Sequence, residues 1–108
     1  MLRWLVIVGL TLVVPSFAGA EVPVIEIKIK DHKFHPDVVE IKEGQKVQLL
    51  VINEGPGAEE FESHELNREK VILPGKSAKI FIGPLKKGEY KFFGEFHPET
   101  AQGKIRVK

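Results

Sequence analysis

Residues 88–108 read GEYKFFGEFHPETAQGKIRVK, and this stretch decides the fold. Aromatic residues alternate with charged ones in its first part, and Ile105 alternates with charged neighbours near its end. A period of two is typical of a strand with one buried face, and the polar, proline-containing segment in between is typical of a loop. The stretch is therefore predicted to form two antiparallel strands joined by a loop that presents Glu95, His97 and Glu99.

The preceding chain repeats this pattern of short strands and turns. Its apolar run at 47–52 covers both faces, which predicts a central strand. No sustained helical periodicity is present, and at most one helical turn is expected, near Ser63. About seven or eight short strands with turns between them predict an all-β fold, an antiparallel Greek-key β-sandwich. Further strand-like runs lie at 24–30, 39–41, 71–73 and 78–82.

The N-terminal segment predicts export. Arg3 precedes a short apolar run, and small residues follow at 18–20. A charged start, a short apolar centre and a small-residue ending are typical of a secretory signal peptide, whereas a membrane-spanning helix needs about 20 apolar residues. We expect residues 1–20 to be a signal peptide cleaved after Ala20, which leaves one domain, 21–108, without a membrane span. An uncleaved membrane anchor is the alternative.

Composition excludes several classes of function. The chain has 16 basic and 15 acidic residues, so removal of Arg3 leaves 15 of each, and nothing points to nucleic acid or to anionic lipid. There is no cysteine and the one methionine is Met1, so the exported protein has no sulfur for a soft metal ion. Serine-hydrolase, zinc-protease and phosphate-loop motifs are also absent. These observations favour binding over catalysis.

Two polar loops carry ligands that suit hard metal ions. Carboxylates and imidazoles suit iron, manganese, zinc and divalent copper, and a cation relieves the repulsion between close carboxylates. The simpler alternative is a pair of solvated loops. His32 and His35 are predicted to be surface residues that share no ion, because strand positions three apart face opposite ways. The candidate ligands are Glu95 and His97 on one loop, and Glu59, Glu60, Glu62 and His64 on the other.

The final hairpin resembles that of the cupredoxins. In that family an aromatic strand leads to cysteine, histidine and methionine ligands, and a Gly-x-Ile/Val-x-Val strand follows. Here Gly94 falls at the cysteine position, His97 at the histidine position and Ala101 at the methionine position. The segments DHKFHPDVV (31–39) and EGQKV (43–47) resemble the first half of the same family. The resemblance implies a cupredoxin-type sandwich without a blue-copper centre, since that centre needs a thiolate.

Two longer segments, 56–81 and 88–103, resemble cysteine-free, exported cupredoxin-like proteins found with bacterial iron permeases. This resemblance implies a periplasmic accessory protein of iron uptake that binds copper or iron. It implies a partner that is an inner-membrane iron permease or another periplasmic iron-uptake protein. It also implies that the two polar loops meet at one end of the sandwich. The implied metal ligands are His97, Glu95, Glu59 and Glu60, with His64 as a further candidate.

Two other functions stay open at this point. One is a metal-free sandwich that serves as an interaction subunit of a membrane transport complex. The other is a ferroxidase, which requires redox cycling at the site.

Overall fold

The computed structural model describes residues 21–108, so the predicted signal peptide lies outside the described residues. Within 21–108 the chain forms nine strands in two sheets that stack as a sandwich, which confirms the predicted all-β fold. No helix in this range is long and apolar enough to cross a membrane. The strands are β1 Val24–Lys30, β2 Lys33–His35, β3 Val38–Ile41, β4 Val47–Asn53, β5 Glu59–Ser63, β6 Arg68–Ile72, β7 Ser77–Ile82, β8 Gly88–Gly94 and β9 Gln102–Val107.

The two sheets are mixed rather than wholly antiparallel. One sheet has the order β2-β1-β4-β7 and the other β3-β9-β8-β5-β6. The pairs β1–β4 and β3–β9 run parallel, whereas the other neighbours are antiparallel. The parallel pairing of β1 with β4 follows from the chain's passage through β3 in the opposite sheet before it returns. Strand β4 has neighbours on both sides, as predicted from the apolar residues on both of its faces.

Three phenylalanines fix the end of the core that lies next to the candidate site. Phe61 of β5 and Phe92 of β8 stack with ring centroids 4.9 Å apart, and Phe34 of β2 meets both rings edge-on. All three are buried. Such aromatic pairs contribute about 0.5–1.5 kcal/mol each beyond the area they bury. They therefore hold β5 and β8 in a defined relation from the core side.

The β8–β9 hairpin has the predicted form. Tyr90 pairs with Ile105 and Phe92 pairs with Gly103. Glycine is required at 103, because a Cβ there would lie 2.3 Å from Cζ of Phe92. The loop between the strands is closed by backbone hydrogen bonds, including one from the amide of Gly94 to the carbonyl of Ala101 (2.8 Å). The end of β8 and the start of the loop are thus well defined.

Two strands in the middle of the chain differ from their predictions. The segment with Glu59, Glu60 and Glu62 was predicted to be a polar loop, but it forms strand β5, Glu59–Ser63, whose first three residues are buried. The apolar run predicted a strand at 71–73, but β6 spans Arg68–Ile72. Its first residues are charged and exposed, since β6 lies at the edge of its sheet. Such a strand has no apolar alternation by which the sequence could show where it begins.

Candidate metal site

Four carboxylates meet on the outer face of the β5–β6 hairpin. Phe61 points into the core, so the alternation of a strand directs Glu60 and Glu62 outward. Glu69 of β6 lies directly opposite Glu62. The amide of Glu95 donates a hydrogen bond to the carbonyl of Glu60 (3.1 Å), which brings the final loop alongside β5. One carboxylate oxygen of each of these four glutamates lies within 4.8 Å of the others, and we call them the carboxylate cluster.

The cluster is short of positive charge. A hydrogen bond with Glu69, burial, and the nearby Glu95 carboxylate raise the pKa of Glu60 to about 8. Hydrogen bonding with Glu95 raises the pKa of Glu62, while hydrogen bonding with Glu62 and Glu60 lowers that of Glu95. Glu60 is only 5% exposed, and the buried Oε2 of Glu62 has no hydrogen-bond partner within residues 21–108. The cluster therefore retains protons that a bound cation could replace.

Glu59 serves a different purpose on the core side of β5. It is 2% exposed, and its Oε1 accepts hydrogen bonds from the amides of Glu60 (2.9 Å) and Phe96 (3.0 Å). Its Oε2 accepts a hydrogen bond from Nδ1 of His97 (2.7 Å). The hydrogen bonds from Phe96 and His97 join the buried Glu59 side chain on β5 to the final loop, so Glu59 helps to hold Glu60 and Glu95 in register.

The carboxylate of Glu59 also fills the space beside Gly94. A Cβ on Gly94 would lie 2.7 Å from Cδ of Glu59 and 2.7 Å from Cβ of Ala101. By the family resemblance, Gly94 and Ala101 stand where a cysteine and a methionine bind copper. The buried Glu59 carboxylate therefore occupies the space that a side chain at position 94 would need.

The structure distributes the sequence-predicted ligands over two places rather than one. Glu60 and Glu95 belong to the carboxylate cluster, whereas Glu59 and His97 pair with each other on the core side. His64 is exposed at the margin, where its Nδ1 lies 3.8 Å from Oε1 of Glu62.

Sequence reasoning included Glu62 among the hard ligands but missed Glu69. The available signal was the short polar turn at 64–67, because two residues equally spaced about a hairpin turn face each other across the strands.

The sandwich, its sheet order and the loop between its last two strands are those of a cupredoxin-type protein. The chain matches the family model described as "Cupredoxin-like domain" over residues 2–107, and it belongs to that family. A relative in Rickettsia prowazekii (strain Madrid E), the uncharacterized protein RP394, is 49% identical over 83 residues, which cover 77% of this chain. The chain spans 66% of the length of that relative.

Solved structures support the same fold at low sequence identity. Auracyanin A, a "blue" copper protein of Chloroflexus aurantiacus, aligns with a TM-score of 0.71 and 15% identity, covering 82% of this chain and 100% of its own. The metal-binding domain of the Cu(I)-exporting ATPase CopA of Streptococcus pneumoniae D39 gives 0.67 and 16%, covering 79% and 84%. Amicyanin of Paracoccus versutus gives 0.63 and 18%, covering 84% and 87%. These likenesses concern the fold alone.

Proposed function

We propose that this protein is a periplasmic accessory protein of bacterial iron uptake that binds iron or copper without a blue-copper centre. The observation that carries this proposal is the carboxylate cluster: four carboxylates converge, one of them nearly buried, and none is paired with a lysine or arginine among the described ion pairs. Close carboxylates are costly to hold together unless a cation offsets their repulsion. The proposed ligands are Glu60, Glu62, Glu69 and Glu95, with His64 within reach of Glu62.

The donor set argues against Cu(I), although Cu(II) binds most sets of oxygen and nitrogen ligands more tightly than Fe(II) does. Carboxylate oxygens are hard ligands that suit iron, manganese and magnesium, whereas thiolate and thioether ligands select Cu(I). Copper remains the alternative, because CopA and auracyanin A, which share this fold, are described as binding it. Glu59 and His97 support the cluster on this proposal, because their hydrogen bond holds the final loop, and with it Glu95, against β5.

The proposal is tested by calorimetric titration of the exported protein with Fe(II), Mn(II), Cu(II) and Zn(II) under anaerobic conditions. Glu60→Gln keeps the shape of the side chain but removes its charge, and we expect it to lower the affinities for Fe(II) and Mn(II) at least about tenfold. Glu26→Gln, an exposed charge on β1 in the other sheet, is the matched control and should leave both affinities unchanged. Equal affinities for the Glu60 variant and the wild type would overturn the cluster as the iron site.

Export and the partner need separate measurements. If the signal peptide is cleaved as proposed, N-terminal sequencing of protein recovered from the periplasm should begin at Glu21. If the partner is an inner-membrane iron permease, adding the purified protein to permease-containing vesicles should raise the rate of iron uptake. Cytoplasmic retention would argue against the first proposal, and an unchanged uptake rate against the second.

A metal-free interaction subunit is the second candidate, and edge strand β6 favours it. Val71, directly opposite Glu60, is 49% exposed, and Leu73 just beyond the strand is 58% exposed. Apolar side chains at an open sheet edge suit contact with another protein. On this alternative Val71→Lys abolishes stimulation of uptake while Glu60→Gln leaves it intact, and the iron-binding proposal predicts a loss with Glu60→Gln. A ferroxidase would in addition consume Fe(II) in air faster than buffer alone.

A further inference from the structure

We propose that His32 and His97 form a second metal site, an imidazole pair that takes a borderline divalent ion such as Cu(II) or Zn(II). The two rings stack with centroids 3.7 Å apart and an interplanar angle of 22°. Neither histidine belongs to the carboxylate cluster. The proposal therefore stands independently of the iron site.

Glu59 prepares His97 as a ligand. Because a carboxylate oxygen accepts, the 2.7 Å hydrogen bond to Glu59 is donated by Nδ1–H of His97. The neutral ring then carries its lone pair on Nε2. The Glu59 side chain is 2% exposed, whereas that of His97 is 35% exposed. A buried carboxylate that fixes the tautomer and orientation of an accessible imidazole is a recurrent arrangement behind metal-ligating histidines.

His32 is held next to His97 by its backbone. The carbonyl of His32 accepts a hydrogen bond from Oγ1 of Thr100 (2.6 Å), and the amide of Thr100 donates to the carbonyl of His97 (3.2 Å). His32 is also the second residue of the two-residue turn between β1 and β2, where Asp31 and His32 have φ of 53° and 56°. Positive φ at both positions is typical of a type I′ hairpin turn, so the turn fixes the position of the His32 backbone.

The pair has the chemistry of a site for borderline ions. Imidazole nitrogens bind Zn(II) at about 2.0–2.1 Å, so two nitrogens on one tetrahedral ion lie about 3.3 Å apart. The lone pairs of the stacked rings lie in the ring planes and run side by side, so one ring must turn before both nitrogens face the same ion. Because His32 is exposed, its ring can turn toward a shared ion while Glu59 holds His97. Cu(II) stands highest in affinity for nitrogen ligands among divalent ions of this series. The open positions of such an ion are left for water or for a ligand from a partner.

The site differs from a cupredoxin copper centre in its ligands, since that centre needs a cysteine thiolate. Glu59 occupies Nδ1 of His97, so an ion can bind only the outer nitrogen, Nε2, with His32 as the second ligand. His35, on the neighbouring strand β2, does not join the pair, because its Nε2 lies 3.2 Å from the carbonyl of Lys30. His35 therefore provides a matched control.

Titration of the exported protein with Cu(II), followed by calorimetry and by electron paramagnetic resonance, tests the proposal. Wild type should show coordination by two nitrogens. His32→Ala and His97→Ala should each lower the Cu(II) affinity at least about tenfold and leave at most one coordinated nitrogen. His35→Ala should match wild type. Glu60→Gln removes only ions held by the carboxylate cluster and should keep the two-nitrogen signal, which separates the two sites. The proposal is overturned if His32→Ala keeps the two-nitrogen signal of the wild type, or if Glu60→Gln abolishes that signal.

A second measurement needs no metal. Nitrogen-15 NMR of the apo protein should show His97 protonated on Nδ1 and unprotonated on Nε2. Glu59→Gln should disturb this tautomer and lower the affinity for Cu(II) about tenfold. Circular dichroism verifies that this variant folds. A wild-type His97 that carries its proton on Nε2 would overturn the proposal, because the proposed donor atom would have no free lone pair.

Discussion

At the residue scale, Glu60 concentrates the electrostatic cost of the carboxylate cluster. A hydrogen bond with Glu69, together with burial, raises its pKa from an ordinary 4.5 to about 8. Between these two pH values the folded protein holds a proton that the unfolded chain has lost, so a rise in pH lowers the free energy of unfolding. In the absence of metal we expect thermal melts to show Tm falling by about 4 °C or more from about pH 5 to about pH 8.5.

The neutral variant separates this effect from other titrations. Glu60→Gln has no proton to lose, so its Tm should change less over the same range and should exceed that of wild type at the alkaline end. Parallel curves for the two proteins would show that Glu60 does not retain a proton in the folded state.

A Gly94→Ala variant tests whether the Glu59 carboxylate fills the space that the family resemblance assigns to a cysteine side chain. A Cβ at 94 would approach Cδ of Glu59 and Cβ of Ala101 to 2.7 Å, and the Cβ of the buried Ala101 is fixed to the backbone and cannot turn away. Overpacking of this kind costs about 1–3 kcal/mol, so Gly94→Ala should lower Tm measurably. Gly57→Ala is the control, since no atom lies within 4 Å of a Cβ there. A Gly94→Ala protein as stable as the control would indicate that Glu59 can leave this space.

At the scale of elements, the β5–β6 hairpin holds two like charges opposite each other, and the proposed cation binding would offset their repulsion. Glu62 and Glu69 are directly opposite, and like charges in that relation destabilise a sheet, whereas opposite charges contribute about 0.2–1 kcal/mol. We expect Glu69→Lys to raise the free energy of unfolding in urea while it abolishes Fe(II) and Mn(II) binding. Glu26→Lys makes the same charge change on β1 and should leave binding unchanged. Retained binding in the Glu69 variant would exclude the hairpin from the metal site.

Local sequence patterns predicted several strands, but they did not predict which distant elements contact each other. Alternation of apolar and charged residues predicted β1, β7 and the β8–β9 hairpin, since it records which face of each strand is buried. It could not show that β1 pairs parallel with β4, because partner choice between distant strands depends on the whole chain path. Nor could it predict the hydrogen bond from His97 to Glu59, because 38 positions separate the two residues.

The candidate site was predictable in part for the same reason. Glu60 and Glu95 were identified as ligand types, and the family resemblance implied that their loops meet. The division of neighbouring Glu59 and Glu60 between the core side and the outer face of the sheet follows from the strand's period of two, because Phe61 points inward. Residues 59–63 were predicted to lie in a polar loop, so this period was not applied to them.

At the scale of the whole molecule, the absence of cysteine is accompanied by a buried carboxylate that supports the final loop. This member of the cupredoxin-like family has no cysteine, and a buried carboxylate stands beside the vacated position, where it fastens the final loop to β5. The same loop contributes Glu95 to the outer face of the sheet. On the proposed function, the copper position of the fold has become a support for a hard-ion site a few residues away.

Such a site should couple cation binding to the stability of the entire sandwich, because the cluster joins β5, β6 and the loop after β8. A ligand that binds only the folded state at about 100 times its dissociation constant adds about 2.7 kcal/mol, which corresponds to a Tm increase of about 10 °C or more in a domain of this size. Mn(II), a redox-stable probe with the same preference for oxygen ligands, should produce this shift near pH 7. Glu26→Gln should respond equally and Glu60→Gln should not. If Mn(II) leaves Tm unchanged in all three proteins, even at millimolar concentration, the metal-free interaction subunit becomes the better account of the molecule.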